Sequence, residues 1–145
     1  NETHLIPNAL ISLIDKKNQF TIFGSNYPTK DGTCVRDYVH VNDIVKAHYL
    51  AMSKFNNQTF KGEFNIGLGL GFSVLEIIQA CDVVTQKKIE LKYADKRDGD
   101  PPILIADNQK IKSILNWEPE YTNIKEIIKT AWNWHSKKHL QHSNR

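Results

Sequence analysis

A chain of 145 residues with 40% hydrophobic and 24% charged side chains can bury roughly two-thirds of its unfolded surface, which excludes a disordered tail or a low-complexity repeat. A surplus of 19 Lys and Arg over 16 Asp and Glu leaves a net charge of +3, too little to call for nucleic acid or a membrane surface as partner. No apolar stretch approaches the roughly 20 residues that span a bilayer, and Cys34 and Cys81 form no CxxC pair, so the chain reads as soluble, with free thiols in a reducing cytoplasm.

In chain order, Thr3 is placed to cap a first helix with Pro7 in its opening turn and Leu5, Ile6, Ala9, Leu10, Leu13 and Ile14 on its apolar face, up to Lys16-Lys17-Asn18. Phe20 to Phe23 is a short β-prone run ended by Gly24, and Ser25 to Thr33 is a loop rich in turn residues. Val35 to Val39 alternates as a strand, after which Asn42 or Asp43 starts a helix, and Asn56 to Lys61 forms a turn. Glu63 to Ile66 is expected as a strand running into Gly67, Gly69 and Gly71. Ser73 with Glu76 makes a capping box, flanked by Phe72 and Ile77 as a hydrophobic staple, for a helix carrying Leu75, Ile78, Cys81 and Val84. Ile89 to Tyr93 reads as a strand, Asp95 to Pro102 as a loop, and Ile103 to Ala106 as extended. Asp107 caps a helix stopped by Pro119, and Asn123 with Glu126 opens a final amphipathic helix. The alternation of helical and strand periods is that of a mixed α/β unit, and residues 1–145 are expected to form one domain. The chain opens on Asn1 and its one methionine, Met52, lies within a helix, so a processed protein, an excised domain or a fragment of a longer chain is expected.

The glycine run lies between a strand and a helix, as a dinucleotide-binding loop does. Phe72, however, stands where the fingerprint needs its third glycine, and Glu90 lies inside an alternating strand where the ribose acid should end one. A tight turn with close backbone packing is the better reading, with a backbone contact to a ligand at the helix start left open. A second constellation joins Arg36 to Arg97 and Asp100. Two guanidinium forks from separate segments can neutralise a pyrophosphate, while a carboxylate accepts sugar hydroxyls or holds an arginine in place.

Other features have plain structural readings. Trp117, Trp132 and Trp134 belong to the core or to a partner-facing surface. His135 and His139 lie four apart on a helix without an acid or cysteine to complete a metal set, so no metal is expected. Asp37 and His40 beside Arg36 lack a nucleophile and make no triad.

The segment from Thr21 through Val35-Arg36-Asp37-Tyr38 to Asp43 resembles the UDP-glucose 4-epimerases, a branch of the extended short-chain dehydrogenase/reductase family. So do His4-Leu5-Ile6-Pro7, Phe64 to Gly69, Arg97 to Pro102, Leu115 to Pro119 and Thr130 to His135, in the same order. The resemblance covers nearly the whole chain but only the family's C-terminal, substrate-binding half. The glycine-rich NAD loop, the catalytic Ser or Thr and the Tyr-x-x-x-Lys pair have no counterpart; Tyr121 with Lys125 falls outside the catalytic position. The resemblance therefore implies a small mixed α/β substrate-binding domain without the Rossmann NAD domain. That domain would have no catalytic, cofactor-binding or metal-binding residues of its own. NAD would belong to the parent enzyme and not to this chain alone.

By matching position, Arg36 and Arg97 resemble diphosphate clamps and Asp100 a ribose-hydroxyl acceptor, with Tyr38 lining the same pocket. Leu5 and the strand Thr21-Ile22-Phe23 resemble segments that recognise uridine, and Val74 is expected to touch the uridine end. Leu104 stands beside the sugar, where a bulky residue implies preference for glucose and galactose over N-acetylated sugars. The implied partners are a UDP-hexose and the missing N-terminal half, in a parent that is a homodimer. Alternatives are a stand-alone nucleotide-sugar-binding or interaction module, an inert fragment, or a related UDP-sugar epimerase or dehydratase.

Overall fold

The structure, a computed structural model, describes residues 2–15, 19–54 and 62–143, with side chains through residue 137. The expected turn over Asn56 to Lys61 and the Lys16 to Asn18 end of the first helix lie outside these residues.

Apolar residues at helical spacing build α1 (Leu5–Ile14), with Ile6, Ala9, Leu10 and Leu13 buried. Its N-cap is His4, with no side-chain cap bond. Thr3 lies one residue too early to cap, and its own N–H donates to Glu2 Oε1 at 2.8 Å. Next come β1 (Phe20–Phe23), β2 (Val35–Asp37), α2 (Val41–Lys54), β3 (Gly71–Ser73) and α3 (Val74–Thr85). They are followed by β4 (Leu91–Ala94), β5 (Ile103–Leu104), α4 (Gln109–Leu115) and α5 (Ile124–Ser143). β1 and β4 run parallel, from Phe20 opposite Leu91 to Phe23 opposite Ala94. A second sheet has the order β3-β2-β5, antiparallel between β2 and β3 and parallel between β2 and β5. The fold is a small mixed α/β unit.

Helix ends show where local pattern decided the structure and where distant contacts did. The capping box of α3 forms as expected: Ser73 Oγ accepts Glu76 N–H at 3.0 Å, and Glu76 Oε2 accepts Ser73 N–H at 2.9 Å. Asn42 or Asp43 was expected to start α2, but the helix begins at Val41. His40 supplies its carbonyl to Asp43 and Ile44, and its Nδ1 to the Asn42 amide. Asp43 is instead 1% exposed, and its carboxylate accepts the amides of Glu120 and Tyr121. Asn108, not Asp107, is the N-cap of α4, though Asp107 still accepts the Gln109 amide. That helix ends with Asn116 in the left-handed region, three residues before Pro119. At α5, Asn123 Oδ1 accepts Lys125 N–H at 2.9 Å, while the Glu126 amide goes to the Asn123 carbonyl, so the expected box is replaced by a single side-chain cap.

Among the described residues the expected strand over Glu63 to Ile66 does not form; a strand forms later, at Gly71–Ser73. Phe64 and Ile66 pack on a hydrophobic cluster with α2 and α4, and the Asp37 carboxylate takes the amides of Leu68 and Gly69, both at 2.9 Å. Side-chain anchoring thus replaces strand pairing there. The cluster centres on Ala47, Ile111, Leu115 and Trp117, and Trp117, fully buried, donates Nε1–H to the Asp43 carbonyl at 2.9 Å. A larger cluster joins α1, α3 and α5 through Leu10, Ile77, Cys81 and Ile128, with Trp132 packed at its edge; Trp134 is exposed. Cys34 and Cys81 are free and buried. Among the described residues no helix is long and apolar enough to cross a membrane.

Candidate functional site

Between α1 and β1 lies a cavity of about 510 Å³. One side comes from α1, whose period brings Leu5, Asn8 and Ser12 onto one face. β1 contributes Thr21, Ile22 and Phe23 from the other side, and Val74 marks the start of α3. Arg36 meets Arg97 and Asp100, which lie more than sixty positions further along the chain, at this cavity.

The charged end is built in three steps. Arg36 projects from β2, donating Nη2–H to Asp100 Oδ1 at 3.1 Å and Nη1–H to its neighbour's carbonyl, Val35 O, at 2.8 Å. Asp100 is brought round by a turn in which its N–H donates to the Arg97 carbonyl, with Gly99 at φ 81 supplying the left-handed residue. Arg97 lies over the Phe23 ring, its guanidinium carbon 4.0 Å from the centroid. The strand holding Phe23 thereby positions one arginine and the carboxylate positions the other. Both cations face a single cavity, a geometry that suits an anion carrying adjacent charges.

Two expected residues lie elsewhere. Tyr38 does not line the cavity. β2 ends at Asp37, so the two-residue alternation that would set Tyr38 beside Arg36 no longer holds. Its ring packs against Phe72 at 6.5 Å between centroids, and its hydroxyl is buried without a partner among the described residues. Burial raises the Tyr38 pKa above the ordinary value. Leu104 is also outside the lining, 60% exposed on β5; in the ladder it stands opposite Arg36.

Sequence reasoning missed Asn8, Ser12, Gln19 and Cys34, which also line the cavity. The signal was available for three of them: Asn8 and Ser12 follow Leu5 at helical spacing, and Cys34 precedes Arg36 by two on the approach to a strand. Asp37 and His40 are structural. His40 Nε2 lies 2.9 Å from Thr130 Oγ1, and its ring stacks on Tyr121 at 3.8 Å. Among the described residues no cluster of His, Cys, Asp and Glu could hold a metal; the side chain of His139 lies outside them.

A family model described as GDP-mannose 4,6 dehydratase matches residues 2–131. The chain belongs to that family. Among curated relatives, the UDP-glucose 4-epimerase of Halalkalibacterium halodurans is 45% identical over 92% of this chain and 40% of its own length. A solved UDP-glucose 4-epimerase superposes with a TM-score of 0.88 at 46% identity, over 94% of this chain and 41% of that one. The Bifidobacterium longum UDP-glucose 4-epimerase, solved in complex with NAD+ and UDP, superposes at 0.84 with 30% identity, over 92% of this chain and 39% of that one. The chain thus spans about 40% of the length of the relatives it matches.

The glycine run does not fit a dinucleotide. The Leu68 and Gly69 amides, which an anion would need, already bind Asp37. A Cβ at Gly67 would lie 2.5 Å from Asp37 Oδ2 and 2.7 Å from the Ala106 Cβ, so that face of the turn is closed. The first amides of α3 are engaged as well: Val74 with the Cys34 carbonyl, Leu75 with Thr33 Oγ1 and Glu76 with Ser73 Oγ.

Proposed function

We propose that this chain is the UDP-sugar-binding, C-terminal portion of a UDP-glucose 4-epimerase that interconverts UDP-glucose and UDP-galactose. The observation that carries the reading is the meeting of Arg36, Arg97 and Asp100 at one cavity walled by α1 and β1. The two guanidinium groups clamp the diphosphate. Asp100, beyond steadying Arg36, accepts hydroxyl hydrogen bonds from the ribose. Leu5, Val74 and the β1 residues Thr21 to Phe23 wall the uridine.

Epimerisation at C4 requires a keto-sugar to present both faces in turn while the nucleotide stays bound. Concentrating the binding contacts on the nucleotide and leaving the sugar little restrained meets that need. Leu104, exposed and opposite Arg36 in the ladder, is assigned to the sugar side of the clamp. Its bulk favours glucose and galactose over N-acetylated sugars, and equal turnover of both classes by the parent enzyme would refute that preference. Oxidation and re-reduction at C4 by NAD belong to the parent protein, a homodimer of the reducing cytoplasm in galactose metabolism.

Titration calorimetry with UDP tests the clamp. Arg36→Ala and Arg97→Ala should each weaken UDP binding by about 10-fold or more, the size of a lost charge-assisted hydrogen bond. A folded chain without affinity for UDP, or one indifferent to both substitutions, contradicts the assignment.

A further inference from the structure

Among the described residues β1 pairs on one side only, with β4. The amides of Phe20 and Gly24 go to the Glu90 and Ala94 carbonyls, both at 2.9 Å. The two-residue alternation of a ladder therefore turns the amides and carbonyls of Thr21 and Phe23 to the opposite, unpaired edge, and both residues line the cavity. Across it, α1 contributes two polar side chains, Asn8 and Ser12. Ser12 commits its hydroxyl proton to the Ala9 carbonyl at 2.7 Å. Asn8 is half-buried, and its side chain makes no hydrogen bond among the described residues. An unengaged asparagine is a poor choice for a helix, which alanine or leucine would favour. Here it interrupts the apolar wall that Leu5 and Ile11 form on the same helix. A carboxamide carries two donors and an acceptor, and a lone polar group among apolar lining is the kind that fixes a ligand's orientation.

We propose that Asn8 is a specificity residue whose carboxamide N–H donates to a ring carbonyl of the pyrimidine base, a proposal that rests on the functional reading above. A uracil ring presents an N–H between two carbonyls. The free edge of β1 offers an acceptor and a donor, which match the N–H and one of those carbonyls. The other carbonyl faces away from the strand and needs a donor from the far wall. On α1 only Asn8 has one to give, since the Ser12 proton is taken. Leaving that carbonyl unpaired in a closed site would weaken the grip on the base while the charged end of the cavity stayed intact.

Titration calorimetry on the 145-residue chain separates base from diphosphate by comparing UDP with inorganic pyrophosphate, the latter read by its displacement of UDP. Asn8→Ala should weaken UDP binding about 5-fold, the size of one neutral hydrogen bond, and leave pyrophosphate unchanged. Asn8→Leu, close to asparagine in volume but without a donor, should do the same. Both replacements are better helix formers than asparagine, so Tm should hold. UDP affinity that survives either substitution overturns the proposal. So does a loss shared equally by pyrophosphate, because Asn8 would then act through the clamp or the fold. A folded, unsubstituted chain without affinity for UDP sinks the functional assignment itself, a result distinct from any the Asn8 variants give. Should the chain fail to fold alone, the Halalkalibacterium halodurans epimerase carrying it in place of the matching 134 residues decides. There both substitutions should raise KM for UDP-glucose about 5-fold and hold kcat within about 2-fold; an unchanged KM overturns the proposal.

Discussion

Arg97 lies against an aromatic side chain from another segment, Phe23 of β1. Phe23 is 38% exposed, and the Arg97 guanidinium lies on its face. Cation–π contacts at partly exposed sites contribute about 0.5–1 kcal/mol, so Phe23→Leu should weaken UDP binding roughly 2- to 5-fold in calorimetry while the thermal midpoint barely moves. Asp31 plays the comparable part for the backbone around β2. Its carboxylate accepts the Thr33 amide at 2.9 Å, the Thr33 hydroxyl at 2.7 Å and the Ser73 hydroxyl. Burial pushes its pKa up, but the hydrogen bonds from Ser73 and Thr33 outweigh that and hold it below the ordinary 3.8. Because the folded chain binds this proton more weakly than the unfolded chain, the stabilisation is complete above the unfolded value. It is lost as pH falls through the folded one. Asp31→Asn should therefore cost about 1 kcal/mol near neutral pH and flatten the fall in stability between about pH 5 and pH 3, read by urea titration at each pH.

At the scale of elements, the turn at Leu68 and Gly69 between α2 and α3 is anchored by a carboxylate. Asp37 accepts from Leu68, Gly69 and, at 3.3 Å, Ala106, and Asn108 Nδ2 donates to the Gly67 carbonyl at 2.8 Å. This network brings β3 alongside β2 without a preceding strand, and it leaves no room at Gly67. Gly67→Ala would press a methyl group against Asp37 and Ala106, so a loss of about 2 kcal/mol or more is expected in denaturant unfolding. Alanine at Gly99, where nothing lies within 4 Å, meets only the strain of its positive φ and should cost less. The capping box at Ser73 was legible because both partners lie within four residues. The Asp37 anchor was not, because the amides that donate to it lie more than thirty positions away.

At the scale of the molecule, α1, α3 and α5 enclose a core in which Cys81 has no exposed surface. Burial pushes its thiol up to about 12. Iodoacetamide near pH 8 should leave Cys81 unmodified in the folded chain and alkylate it once denaturant is added, as mass spectrometry of the tryptic peptide can show. Labelling in the folded state would mean that the core opens far more readily than its packing implies. What the residues determined by themselves were the features that depend on near neighbours. These include helical spacing in α1, α3 and α5, the box at Ser73, the two free thiols, and the mixed α/β character. The signature around Arg36 also pointed to the family before any coordinates. Only the tertiary structure decided that Arg36 and Asp100 touch, that Phe23 carries Arg97, that Tyr38 turns into the core, and that Asp43 anchors a distant loop instead of capping its own helix. Each of these is a contact between segments whose separation along the chain leaves no periodic trace, and its energy exists only once packing has brought the partners within reach.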